Sequence, residues 1–133
     1  MSAYLTIGLP GSGKTLANAK LFRRLLKRNM RWFKRSGQKR IIWSNIKVND
    51  KWAENHSEAF SFIRYWDNPM ELVKTADIDV VWDEIARHLD SRDWQTLNPK
   101  FKKWIQEHDK LGIEIYANSQ SPMQVDIMFR RNC

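Results

Sequence analysis

The residues best able to do chemistry stand near the start of the chain, in Gly8-Leu9-Pro10-Gly11-Ser12-Gly13-Lys14-Thr15. A glycine, four residues and then Gly-Lys-Thr is the spacing of a phosphate-binding loop. Across Gly8, Pro10, Gly11, Ser12 and Gly13 the backbone N–H groups of a tight turn converge on phosphate oxygens. Lys14 can reach the β- and γ-phosphates, and the Thr15 hydroxyl is of the kind that ligates magnesium. Leu16 then enters a helix whose positive N-terminal end adds to the anion site. The ligands implied are ATP and Mg2+, since no guanine-reading motif is visible.

A phosphate loop needs an acidic partner, and Ile78-Asp79-Val80-Val81-Trp82-Asp83-Glu84 supplies one. An apolar strand ends in two carboxylates, about 70 residues after the loop. Asp83 takes the place beside magnesium, and Glu84 is placed to polarise the attacking water as general base. Neighbouring strand residues point to opposite faces, so both reach one site only if the chain turns at the strand's end. Asp79 is a rival acid, ranked lower because it stands mid-strand among apolar neighbours. A later apolar run, Ile113 to Asn118, ends in Ser119-Gln120. Strand ends of this kind deliver polar groups to the ligand crevice. Gln120 is the first candidate to sense the γ-phosphate or the water, and Asn118 the second. Arginine stabilises the charge of phosphoryl transfer, often from a neighbouring subunit. Arg87, Arg92, Arg130 and Arg131 are the candidates, and spacing alone does not choose among them.

These groups must be held by elements that the sequence also marks. Strand-like runs at 3–7, 40–44, 78–83 and 113–118 alternate with helical segments. Short, β-branched or aromatic runs of this sort suit buried parallel strands. The alternation predicts a three-layer α/β fold of the P-loop NTPase class, a mostly parallel sheet flanked by helices. Residues 1–133 read as one domain, with no linker or repeat. Leu16 to Arg31 is helical. Ala17, Leu21, Phe22, Leu25, Leu26 and Met30 fill one arc, and Lys20, Arg23, Arg24, Lys27, Arg28 and Arg31 fill the other. The basic side continues into Lys34, Arg35, Lys39 and Arg40. A second helix begins with Asn98 as cap and Pro99 in its first turn, and Gly112 suits its end. Phe101, Trp104, Ile105, His108 and Leu111 share its inner face, with His108 read as a packed histidine. Residues 49–69 are the least legible, with room for one more strand at Phe60 to Tyr65.

Composition limits the rest. The chain has 133 residues, 42% of them hydrophobic and 29% charged, and a formal net charge of +8. That is enough for one modest core and favours an anionic partner: nucleotide, nucleic acid or an acidic membrane surface. Its one cysteine, Cys133, allows no internal disulfide, and no Cys/His metal cluster can be drawn. No apolar stretch approaches the ~20 residues of a spanning helix. The expected location is therefore the cytoplasm.

Taken together, these pieces resemble the zonula occludens toxin family, which includes the assembly ATPases of filamentous phages within the FtsK–HerA group of P-loop motors. The resemblance rests on Gly8 to Thr15, Trp43-Ser44-Asn45-Ile46, Asp83-Glu84 followed by Arg92, His108-Asp109-Lys110-Leu111-Gly112, Ser119-Gln120, and Asp126 before Arg130-Arg131. It implies that Gln120 is the polar sensor and that the Arg130–Arg131 region approaches a neighbour's site in a homo-oligomeric ring. It also implies partners among phage coat or assembly proteins. Two departures stand out. The segment His108-Asp109-Lys110 is less basic than is usual in the family. The membrane span and second domain of the phage-export members are not present in these residues. If the natural chain continues into such a span, the site of action is the cytoplasmic face of the host inner membrane.

The reading is a Mg-dependent P-loop ATPase that powers filamentous phage assembly and extrusion as an oligomeric ring. The first alternative is a soluble DNA-translocating or packaging ATPase, with the basic face tracking phosphates. Another, of a different class, is a nucleotide-dependent scaffold or switch with little turnover. Glu84 argues against it.

Overall fold

The computed structural model describes residues 3–7, 14–85 and 98–119. Five strands form one sheet: β1 (Ala3–Ile7), β2 (Ile42–Ser44), β3 (Ile63–Tyr65), β4 (Asp79–Trp82) and β5 (Glu114–Ser119), in the order β1-β5-β4-β2-β3. Every pairing is parallel. The helices are α1 (Lys14–Ser36), α2 (Asp50–Asn55), α3 (Ser57–Phe60) and α4 (Pro99–Gln106), with a 3-10 turn at Pro69–Leu72. The expected three-layer α/β architecture is present, with helices on both faces of the sheet.

Alternation along the strands builds two cores. On one face Val80 and Trp82 of β4 join Ile115 and Ala117 of β5 against Phe101, Trp104 and Ile105 of α4. On the other, Val81 and Ile42 meet Phe22, Leu25 and Leu26 of α1. The apolar arc read for the first helix is thus the arc that packs on the sheet. Helix α1 is longer than Leu16 to Arg31, because neither glycine nor proline interrupts it before Gly37, which closes it at φ +73°.

Two boundaries differ from expectation. The extra strand starts at Ile63, and Phe60 ends α3 instead. Helix α4 stops at Gln106, well before Gly112. Gly112 serves the turn into β5, at φ +70°, where an added Cβ would collide with the Asp77 carboxylate. His108 lies in that turn, buried, with Nδ1 2.6 Å from the Ile105 carbonyl, a packed histidine as expected.

The α1 side of the sheet carries a polar row that sets how the helix lies. Asp79 opens β4 with a fully buried carboxylate. Arg28 Nη2 donates to it at 2.7 Å, Asn29 Nδ2 at 2.8 Å and Arg40 Nε at 3.1 Å. Arg40 also donates to the carbonyls of Ile78 and Gly112. Arg28 Nη1 reaches Glu114 Oε2 at 3.0 Å, and the Tyr116 hydroxyl donates to the same oxygen at 2.6 Å. Arg28 and Arg40, read from sequence as part of the basic face, are therefore structural cations. They balance an acid that parallel pairing has buried, because a buried carboxylate without partners is strongly unfavourable. Asp79 sits at the N-terminal edge of the sheet, opposite the end where β4 delivers Asp83. The sequence ranks it lower as a mid-strand acid, but it is the first residue of β4, because Ile78 stays outside the ladder.

Burial pushes the Glu114 carboxyl up, but hydrogen bonds from Tyr116 and Arg28 outweigh it and leave the group below its ordinary value of 4.5. Burial and then the bond to Glu114 raise the Tyr116 hydroxyl to about 12. A depressed folded-state carboxyl stabilises the fold above the ordinary value, and that contribution is lost as pH falls below 4.5 through the folded value. Glu114→Gln should therefore melt at a lower temperature than wild type near neutral pH. The two melting curves should converge as pH drops below 4.5. Thermal unfolding by circular dichroism across this range measures it. A constant offset at every pH would contradict the role given to Glu114.

Candidate nucleotide site

Strand register brings the chemistry-bearing ends to one edge. Ile7 pairs with Ser119, Thr6 with Asn118, and Trp82 with Ala117. Carrying the β4–β5 register one residue on sets Asp83 beside Asn118. The end of β1 at Ile7, the acidic pair after Trp82 and the end of β5 thus share one level on three adjacent strands. β5 separates β1 from β4, so the phosphate-loop strand and the acidic strand stand two strand spacings apart, about 9.5 Å.

Helix α1 is aimed at the same edge. Near its start Asn18 accepts a long hydrogen bond, 3.4 Å, from Asn118 Nδ2, and ten residues later Arg28 meets Glu114. Ten helical residues span about 15 Å, and the four strand steps from Glu114 to Asn118 about 13 Å. The helix therefore runs antiparallel along β5. Its N-terminal end, with its positive dipole, lies at the C-terminal edge of the sheet.

The acidic pair is clamped by two asparagines. Asn45, just past β2, accepts from Asp83 N–H through Oδ1 at 2.7 Å and donates to the Asp83 carbonyl through Nδ2 at 3.0 Å. Asn118 Oδ1 accepts from Glu84 N–H at 2.9 Å. Glu84 is left-handed, at φ +53°. A non-glycine residue held there costs of order 1 kcal/mol or more. Ile85, fully buried, anchors the chain directly after it. The backbone thus turns sharply at the two acids. Both Asp83 and Glu84 are half-buried.

Other expectations fare unequally. Lys14, Thr15 and Leu16 lie in the first turn of α1 (Lys14–Ser36). Gly8, Pro10, Gly11, Ser12, Gly13, Arg87, Arg92, Gln120, Arg130 and Arg131 lie outside the described residues. Asn118, read as the second candidate sensor, is nearly buried and spends its carbonyl on Glu84 N–H. Its Nδ2 makes the long contact to Asn18. Sequence reasoning noted Asn45 in a strand-end motif but missed its clamp. A polar residue closing each of two strands that flank the acidic strand was the available signal.

The comparisons with known proteins agree with this fold. The N-terminal domain of zonular occludens toxin from Neisseria meningitidis superposes with a TM-score of 0.57 at 22% identity, over 95% of this chain and 71% of that one. B204, the DNA-packaging ATPase from Sulfolobus turreted icosahedral virus, gives 0.65 at 12% identity, over 99% and 72%. The related B204 genome-packaging NTPase of the second such virus, in complex with ATP-gammaS, gives 0.62 at 11% identity, over 98% and 71%. No protein-family model matches the sequence, and no curated protein matches it significantly. The fold is thus that of the P-loop NTPases, similar to the toxin domain and to the packaging ATPase.

The clamp can be tested apart from catalysis. Asn118→Ala leaves the Glu84 N–H without its acceptor and should cost about 1–3 kcal/mol. Asn45→Ala removes both contacts to Asp83 and should cost a similar amount. Urea unfolding measures both. Wild-type stability in both variants would mean that the acidic turn is held by other contacts.

Proposed function

We propose that this chain is a Mg-dependent ATPase domain. The observation that carries the reading is the turn at Asp83–Glu84, locked by asparagines and set level with the ends of β1 and β5, two strand spacings from the strand that the glycine-rich loop follows in sequence. In this reading the N–H groups of Gly8 to Gly13 hold the phosphates, and Lys14 places its charge against the β- and γ-phosphates. Thr15 and Asp83 are hard oxygen donors of the type magnesium takes together with substrate phosphates. When bound, the ion would neutralise charge on the transferring phosphoryl group. In this reading Glu84 orients the attacking water and takes its proton. Gln120 follows β5 directly and would contact the γ-phosphate or the water.

The larger role follows from the resemblance to the toxin family and from the likeness to its solved N-terminal domain. We assign the chain to filamentous phage assembly and extrusion, working as a homo-oligomeric ring with phage coat or assembly proteins. Arg130 and Arg131 would complete a neighbour's site. DNA translocation or packaging is the second reading. It is supported by the charge concentrated on α1 and by the shared fold with a DNA-packaging ATPase.

Steady-state phosphate release and equilibrium nucleotide binding test the enzyme reading. Lys14→Ala should abolish hydrolysis and weaken ATP binding. Glu84→Gln should bind ATP normally and turn over roughly a hundredfold more slowly, the loss expected for a general base. Asp83→Asn should instead lower magnesium-dependent binding. Normal turnover in Lys14→Ala would remove the phosphate-loop assignment, and normal turnover in Glu84→Gln would remove the general base.

A further inference from the structure

The net charge of this protein is carried by one helix. Helix α1 holds nine of the 23 basic residues and none of the 15 acidic ones, which leaves 14 basic against 15 acidic residues elsewhere. Arg28 is drawn inward to Asp79 and Glu114. Lys20, Arg23, Arg24, Lys27, Arg31, Lys34 and Arg35 are all exposed. At 100° per residue these seven fall within about 60° either side of a single line. From Lys20 to Arg35 that line is about 22 Å long. Among the described residues none of the seven has an ion-pair partner. Trp32, 47% exposed, flanks the stripe.

We propose that this stripe is a track for the phosphate backbone of nucleic acid. Duplex DNA presents a phosphate on each strand every 3.4 Å of axis, so about 22 Å of rigid cations spans roughly six base pairs. A flanking tryptophan offers a stacking face to bases of a single strand. An anionic membrane is the competing polyanion, and the packing of α1 disfavours it. Interfacial helices bury their apolar face in lipid, whereas here Phe22, Leu25 and Leu26 are buried against the sheet. The stripe's place on the molecule also separates it from nucleotide chemistry. It begins beyond the first turn of α1 and runs toward the sheet edge opposite Asp83 and Glu84. The inference rests on the DNA reading above but not on hydrolysis, and its test is read without nucleotide.

The test is fluorescence anisotropy of labelled DNA of about 20 base pairs, and of its single strand, titrated with the 133-residue protein. Wild type should bind, and its affinity should fall about a thousandfold between 50 and 200 mM salt, as release of about six counterions requires. The triple variant R24Q/K27Q/R31Q should bind about a hundredfold or more weakly at 100 mM salt with a shallower salt dependence. A control, K47Q/K51Q/K74Q, removes the same charge from other exposed lysines and should bind nearly as wild type. Unchanged thermal midpoints show that both variants are folded. Three results would overturn the proposal. One is equal loss in the control, which would reduce the effect to net charge. Another is wild-type DNA affinity in the stripe variant. The last is a wild type that binds vesicles with roughly 30% phosphatidylserine but no DNA.

Discussion

The fully buried Asp79 carboxylate is the contact on which the rest of the arrangement turns. It stands where β4 begins, and parallel pairing on both sides removes it from water. Its charge must be met from the helix layer, and Arg28 and Asn29 meet it from α1 while Arg40 meets it from the entry to β2. Buried ion pairs add little net stability compared with apolar packing, but they discriminate strongly between arrangements. A rotation of α1 by one residue would take Arg28 and Asn29 from the carboxylate and leave it Arg40 alone. Asp79 therefore fixes which arc of α1 faces the sheet, how far the helix runs along β5, and where its N-terminal end arrives.

Both surfaces with chemical potential follow from that one registration. At the C-terminal edge of the sheet, the start of α1 comes level with the ends of β1, β4 and β5. A backbone clamp from Asn45 and Asn118 then presents Asp83 and Glu84 there. On the outer side, the rotation that turns Arg28 inward turns seven other cations outward. The polar row Glu114, Tyr116 and Asn118 on β5 would be unusual for a strand buried on both faces. It is explained by the helix above it, which contributes Asn18 and Arg28 to that row. The other face of β5 is apolar, Ile113, Ile115 and Ala117, and packs on α4.

Much of this was legible from residue order, and the exceptions have physical reasons. The glycine-rich loop, the acid-terminated strand and the apolar arc of α1 are local patterns, and the sheet and helix they predict are present. Asp79 was legible as an acid in an apolar strand, but its partners are Arg28, Arg40 and Asn29, far away in sequence. Arg28 sits at the border between the polar and apolar arcs of α1, where periodicity does not decide the direction of a long side chain. Asn45 and Asn118 are ordinary strand-end residues until strand order places them on either side of Asp83–Glu84. The order itself, with β5 between β1 and β4, rests on pairing over more than a hundred residues and leaves no local mark. The residues proposed to sense the γ-phosphate and to act between subunits, Gln120, Arg130 and Arg131, lie outside the described part of the chain.

The central claim is that nucleotide binds at the C-terminal edge of the sheet, between the start of α1 and the Asp83–Glu84 turn. Amide chemical-shift mapping of the 15N-labelled protein, 15.9 kDa, with magnesium and a non-hydrolysable ATP analogue tests it directly. The account predicts saturable shifts at Lys14, Thr15, Asp83, Glu84, Asn118 and Ser119. Residues at the opposite edge, Arg28, Asp79 and Glu114, should stay unchanged. Shifts that cluster around Arg28 and Asp79, or that fail to saturate anywhere, would contradict it.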